Sequence, residues 1–146
     1  MKEGYWFKSD LFQINKGEDK ETNPGCYGKE LGDWIGAKFR ELGYEVEELI
    51  AEDWGWCVIC ERNEFILWIG CGAVVDMKEY DPESPPDVKN VVWHVFPAIE
   101  IPFFYLKSLF KKWLGKLDTG QPLRKLDDEL KGILNTEPGI ELCEEP

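Results

Sequence analysis

Apolar residues recur along this chain in two rhythms, one at every third or fourth position and one in short unbroken or alternating runs, and each change of rhythm marks an element. The runs at 5–7 and 11–14 predict a first strand or a bent strand pair. Residues 15–25 are polar and close on Asn23-Pro24-Gly25, where proline presets the first turn angle and glycine supplies the positive φ of a type II turn. Over 27–42, Leu31, Trp34, Ile35, Phe39 and Leu42 fall at helical spacing, and Gly43 fits the left-handed residue that ends many helices. Tyr44-Glu45-Val46-Glu47 then alternates like a strand with one wet face.

Two longer apolar runs, 54–61 and 65–72, flank Arg62-Asn63-Glu64 and are rich in Trp, Ile, Val and Phe, which predicts a hairpin of central strands introduced by an acidic turn at Glu52-Asp53. Residues 76–90 hold three prolines and five acids and read as a long exposed loop. A strand over 91–96 follows, closed by Pro97. Pro102 opens a helix to about Leu117 with Leu106, Leu109, Phe110, Trp113 and Leu117 on its core face. Leu123, Leu126, Leu130, Ile133 and Leu134 predict another helix that stops before Pro138, and 140–143 a last edge strand. Strands grouped in the middle with helices at either end predict a single α+β domain over 1–146. Its antiparallel sheet has about five strands, with an N-terminal helix and two C-terminal helices packed largely on one face.

Charge changes this picture more than size does. The 146 residues carry 29 acids against 17 bases, a formal charge of −12, which argues against nucleic acid and anionic membrane surfaces as partners. The acids are uneven, with five between Glu45 and Asp53, whereas 103–116 holds four lysines and no acid. A fold that keeps these apart makes the molecule dipolar, although lysine stems commonly just cover helix flanks. The Met1-Lys2-Glu3-Gly4 start has no secretory pattern and no window reaches the ~18 apolar residues of a membrane span, so the expected location is cytoplasmic with five reduced cysteines.

Marked catalytic motifs for serine nucleophiles, phosphate loops and zinc proteases are absent. Cys57-Val-Ile-Cys60 has the spacing of metal and redox pairs, but side chains three apart in a strand point to opposite faces, so buried reduced thiols are favoured and neither metal nor cofactor is expected. His94, the only histidine, lies in the apolar strand Val92-Trp93-His94-Val95-Phe96, where a structural hydrogen bond is favoured over catalysis. The remaining candidate is Glu52-Asp53-Trp54-Gly55-Trp56: two carboxylates beside two indoles, which as a site would give an acid with a raised pKa and as structure would give a turn. The candidate binding residues are therefore Glu52, Asp53, Trp54, Trp56 and His94, with Trp54 and Trp56 on one strand face and Gly55 leaving room for a close neighbour on the other.

At Lys29-Glu30-Leu31-Gly32-Asp33-Trp34, Gly43-Tyr44-Glu45-Val46 and Glu52-Asp53-Trp54-Gly55-Trp56, the chain resembles a group of small bacterial proteins. These share an amphipathic helix, a Gly-Tyr-Glu-Val strand and an Asp-Trp-Gly-Trp lead-in to a hairpin. The resemblance covers about the first half of the chain and the last strand after Pro138-Gly139-Ile140, implies a bacterial α+β domain, and transfers no catalytic residue. In size, charge and class the chain is also similar to immunity proteins that neutralise toxins. The expectation is a non-enzymatic acidic protein that binds a basic protein partner, in one form as a toxin-neutralising immunity protein. The competing expectation is a small-molecule binding domain or minor enzyme with a pocket lined by Trp54, Trp56, Trp68 and Trp93 near Glu52 and Asp53.

Overall fold

In the computed structural model, which describes residues 3–146, hydrophobic periodicity resolves into one antiparallel sheet with two of its three helices laid on one face. Met1 and Lys2, part of the start read above for a secretory pattern, lie outside the described residues. The strands are β1 (Tyr5–Lys8), β2 (Ile50–Glu52), β3 (Gly55–Arg62), β4 (Ile66–Val74), β5 (Val92–Glu100) and β6 (Glu141–Cys143), in the order β2-β3-β4-β5-β1-β6. The helices are α1 (Lys29–Glu41), α2 (Leu106–Trp113) and α3 (Gly120–Thr136). The fold is α+β with six strands, one more than the sequence pattern predicts.

β3 and β4 are the central hairpin, and Trp56, Val58, Cys60, Leu67, Ile69 and Cys71 from one face of it form the main core with Trp93 and Val95 of β5. Leu31, Ile35 and Phe39 of α1 and Leu126, Leu130 and Leu134 of α3 are buried against this face at spacings of four, which places them on one stripe of each helix. The register slips by one residue between Ile59 and Glu61 where the bulge at Cys60 lets the hairpin bend over the helices. α1 ends as its glycine predicts: Gly43, at φ +96, lets its own N–H reach Arg40 O and that of Tyr44 reach Phe39 O, closing the last turn.

Several predicted elements are corrected. Residues 11–14 form no strand, although Phe12 and Ile14 are buried: β1 ends at Lys8 and the chain beyond it packs on the core without pairing to the sheet. The Tyr44-Glu45-Val46-Glu47 stretch is not a strand either. It makes one backbone bond to the sheet, Glu47 N–H to Ile59 O at 3.0 Å, and the strand forms three residues later in the stretch the sequence reading treats as acidic turn. β5 runs through Pro97 to Glu100 because it has passed the end of β1 by Val95, and an edge without a partner tolerates a residue that lacks an N–H. The helix expected from Pro102 to about Leu117 spans only Leu106–Trp113: residues 102–105 form a turn ahead of it, and Gly115 at φ +73 closes it just as Gly43 closes α1.

The largest correction concerns α2. Its expected core residues face water: Leu106 is 73% exposed, Phe110 58% and Trp113 79%, while Ser108 is its one buried residue. Truncating a buried tryptophan has the opposite expectation. Trp56, 2% exposed, should destabilise the domain by about 3–5 kcal/mol when changed to Ala, read by chemical denaturation.

Candidate functional site

The Asp-Trp-Gly-Trp stretch closes the β2–β3 hairpin, with Glu52 paired to Gly55 and Asp53-Trp54 as its two turn residues. A Cβ on Gly55 would come within 2.6 Å of the Cys71 carbonyl oxygen. Gly28, at the start of α1 with φ +135, approaches the same carbonyl, where a Cβ would sit 3.1 Å away. The first helical turn and the hairpin turn therefore meet over one peptide of β4, as only glycines permit. Around this point Asn23 Nδ2–H donates to Asp53 O at 2.9 Å, and the Lys29 ammonium lies 5.1 Å over the Trp56 ring.

Two carboxylates in the loop before α1, unmarked in the sequence reading, complete this arrangement. Glu18 and Asp19 are buried, at 5% and 7% exposure. Glu18 accepts from Gly28 N–H at 2.7 Å and Lys29 N–H at 3.0 Å, giving α1 the acceptor that its own N-cap glycine cannot supply. Asp19 accepts from Gly25 N–H at 3.0 Å and from the Tyr80 hydroxyl at 2.8 Å, which ties the loop to the acidic segment after β4. Burial, with Asp19 beside it, pushes the Tyr27 hydroxyl up to about 12. A helix pattern that starts on Gly28 with no capping side chain is the one sequence signal that an acceptor must arrive from elsewhere.

The five sequence-predicted binding residues fall in three places. Glu52 and Asp53 are exposed on the hairpin turn. Trp56 points into the core beneath α1. Trp54 and His94 are brought together on the opposite face of the sheet, where they line a shallow depression of ≈ 210 Å³ with Gly72 and Phe96. Trp54 and Trp56 thus lie on different faces, because Trp54 belongs to the turn and not to the strand. The sheet also separates Trp54 and Trp68 from Trp56 and Trp93, so these four do not wall one pocket.

That opposite face covers itself with aromatic rings. Trp6 stacks on His94 at 4.4 Å and 8°, His94 lies 5.2 Å from Phe96, and Phe96 is 5.5 Å from Trp54 and 5.6 Å from Trp68. His94 Nε2–H donates to Glu3 O at 2.9 Å, a structural bond across the edge of β1. The Phe96 ring lies directly against Gly70, whose missing side chain leaves it room. Cys57 faces this layer with Ile59 and Ile66, whereas Cys60 faces the helices, so the Cys57/Cys60 pair is split across the sheet. Among the described residues no group of three or more His, Cys, Asp and Glu is placed to hold a metal ion.

A cleft of ≈ 890 Å³ lies at the far end of the sheet between Tyr44, Arg62, Phe65 and Lys125. Arg62 grips Glu47 through two bonds of 2.8 and 3.2 Å, and the Tyr44 hydroxyl donates to Glu129 at 2.7 Å. Its thiol, Cys60, is no nucleophile at neutral pH, since burial pushes it up to about 12. Compared with protein-family models, curated proteins and solved structures, the chain matches none.

The thiols give a test of this packing. Cys57 is pushed by burial from its ordinary 9.0 to about 12, and Cys60 likewise. Between those values the unfolded chain releases protons that the folded chain keeps, so stability falls as pH rises through the window, by up to about 1.4 kcal/mol per pH unit for each thiol. Urea unfolding at pH ~8 and ~10.5 should show this loss. Native alkylation at the lower pH should label the half-buried Cys26 and Cys143 and spare Cys57, Cys60 and Cys71.

Proposed function

We propose that the protein is a non-enzymatic interaction protein whose acidic loop end receives a basic protein partner, a toxin-neutralising immunity protein being the specific form of that role. The observation that carries this reading is the convergence of exposed carboxylates at one end of the sheet. β3 begins, β4 ends and β5 begins at that end. There Glu52 and Asp53 on the hairpin turn stand beside the loop that exposes Asp76, Glu79, Asp81, Glu83 and Asp87. The Asn23 and Asp19 contacts lock the two acidic segments to the same intervening loop, so the charges are presented from an ordered surface.

An ordered array of like charge raises the encounter rate with an oppositely charged partner and makes binding sensitive to salt. Each of Asp76, Asp81 and Asp87 also accepts a backbone N–H two residues on, which fixes the carboxylate direction while leaving its outer oxygen free. The competing small-molecule reading draws its support from the cleft beside Tyr44 and Arg62 in place of Glu52 and Asp53. That cleft holds the Arg62–Glu47 ion pair, and burial keeps its thiol, Cys60, protonated.

Capture of partners from the native cell lysate at low and high salt tests the proposal. A basic protein should be retained at low salt and released at high salt, and reversing Asp53 and Asp81 to Lys should weaken its retention by about tenfold or more. No basic protein retained at low salt, or retention untouched by the reversals, contradicts it.

A further inference from the structure

The acidic end leaves the other end of the molecule unexplained, and there α2 is turned inside out. Around its axis Leu106, Leu109, Phe110 and Trp113 share one face, continued by Leu114, and every one of these is exposed. Ser108, on the reverse, is the buried residue, so the helix meets the protein with its polar side. Lys107 and Lys111 border the apolar face on one side and Lys112 on the other, and Lys116 follows just past the end of the helix. Just ahead of the helix, Phe103 is 83% exposed and Phe104 64%, while Tyr105 anchors the segment against Cys57, Ile59 and Ile66.

We propose that this segment, 103–116, docks on an anionic phospholipid surface, with α2 lying in the plane of the interface. Helices that do this combine Trp, Phe and Leu on one face with lysines at its borders, whose stems run along the apolar boundary and whose heads reach the phosphates. A hydrophobic protein partner explains the apolar face but not the lysines on both borders. A phosphate-bearing surface explains both. Among the described residues no helix is long and apolar enough to cross a membrane, so the contact is peripheral.

The net charge of −12 is the wrong quantity for judging this contact, because charges act across water only within a Debye length of about 8–10 Å. The acidic loops sit beyond Val74 and before Val92, whereas α2 follows Glu100 and is tied to the β3–β4 turn by Lys111 and Glu64 at 3.2 Å. The nine residues of β4 separate these ends by roughly 30 Å, about three Debye lengths. Of the carboxylates near α2, Glu64 is paired with Lys111 and Glu47 with Arg62, while the Gly120 and Gln121 amides hold Asp118 in its charged form. Glu61, Glu100 and Asp118 stand against the three remaining lysines, Lys107, Lys112 and Lys116.

Co-sedimentation of the full chain with vesicles tests this, using phosphatidylcholine alone and phosphatidylcholine mixed with phosphatidylserine. The expected result is binding to the mixed vesicles that falls with salt, is weak on phosphatidylcholine alone, and drops about tenfold or more in Phe110→Ser/Trp113→Ser and in Lys107→Glu/Lys112→Glu. These residues are outside the core, so circular dichroism and unfolding should stay as in the parent chain. Quenching by brominated lipid should diminish in Trp113→Phe while sedimentation persists. Equal binding to both vesicle types, no binding to either, or a dimer that Trp113→Ser dissociates overturns the proposal, the last by assigning this face to a second copy.

Discussion

One backbone carbonyl, that of Cys71 in β4, is the point about which the chain closes. Gly55 brings the β2–β3 hairpin against it and Gly28 brings the start of α1 against it, both closer than a side chain allows. The approach of α1 leaves its first amides without a local cap, and the buried Glu18 carboxylate answers by accepting two of them. A buried charge is costly unless it is fully engaged, so this bond holds the 15–28 loop as firmly as it holds the helix. Through Asn23 and Asp19 the same loop then fixes the Asp53 turn and the acidic segment near Tyr80. Helix, hairpin and acidic surface rest on a single packing contact.

The two faces of the sheet satisfy burial differently. On one, α1 and α3 supply aliphatic stripes over Trp56, Trp93 and the strand aliphatics. On the other, Trp6, His94, Phe96, Trp54 and Trp68 form a continuous run of ring contacts, and Trp68, with Ile50 and Tyr105, covers Cys57, Ile59 and Ile66. Aromatic rings do this well because each buries much area with few rotatable bonds. This explains an aromatic content of 14% in a domain with only two helices on its core.

Most of the architecture was legible from residue spacing. The stripes of α1 and α3, the central hairpin and the glycine stop at Gly43 follow local rules that tertiary packing reinforces. What failed was anything decided by a distant neighbour. Trp54 looked like part of a strand face, and only the hairpin geometry puts it opposite Trp56. Glu18 and Asp19 looked like ordinary loop acids, because their partners are backbone amides that no side-chain pattern reveals. α2 shows the limit most clearly: periodicity identifies an apolar face but not the direction it points, and here it points outward. The feature most suggestive of an active site, two carboxylates against two indoles, separated into an exposed turn and a buried core residue.

Charge follows the same long axis, with the carboxylates of the hairpin turn and the 76–87 loop at one end and the lysines of α2 at the other. The acidic end depends on the contact at Cys71, which holds the hairpin turn and, through the 15–28 loop, the segment near Tyr80 in place. Replacing Gly55 by Ala, compared with Gly72 by Ala, tests that dependence most directly. A Cβ at Gly55 meets the Cys71 carbonyl oxygen at 2.6 Å, whereas one at Gly72 meets nothing nearer than 3.9 Å. Equilibrium unfolding should show Gly55→Ala weaker by about 2 kcal/mol or more and Gly72→Ala within about 1 kcal/mol of the parent. Equal stability of the two variants would contradict the account.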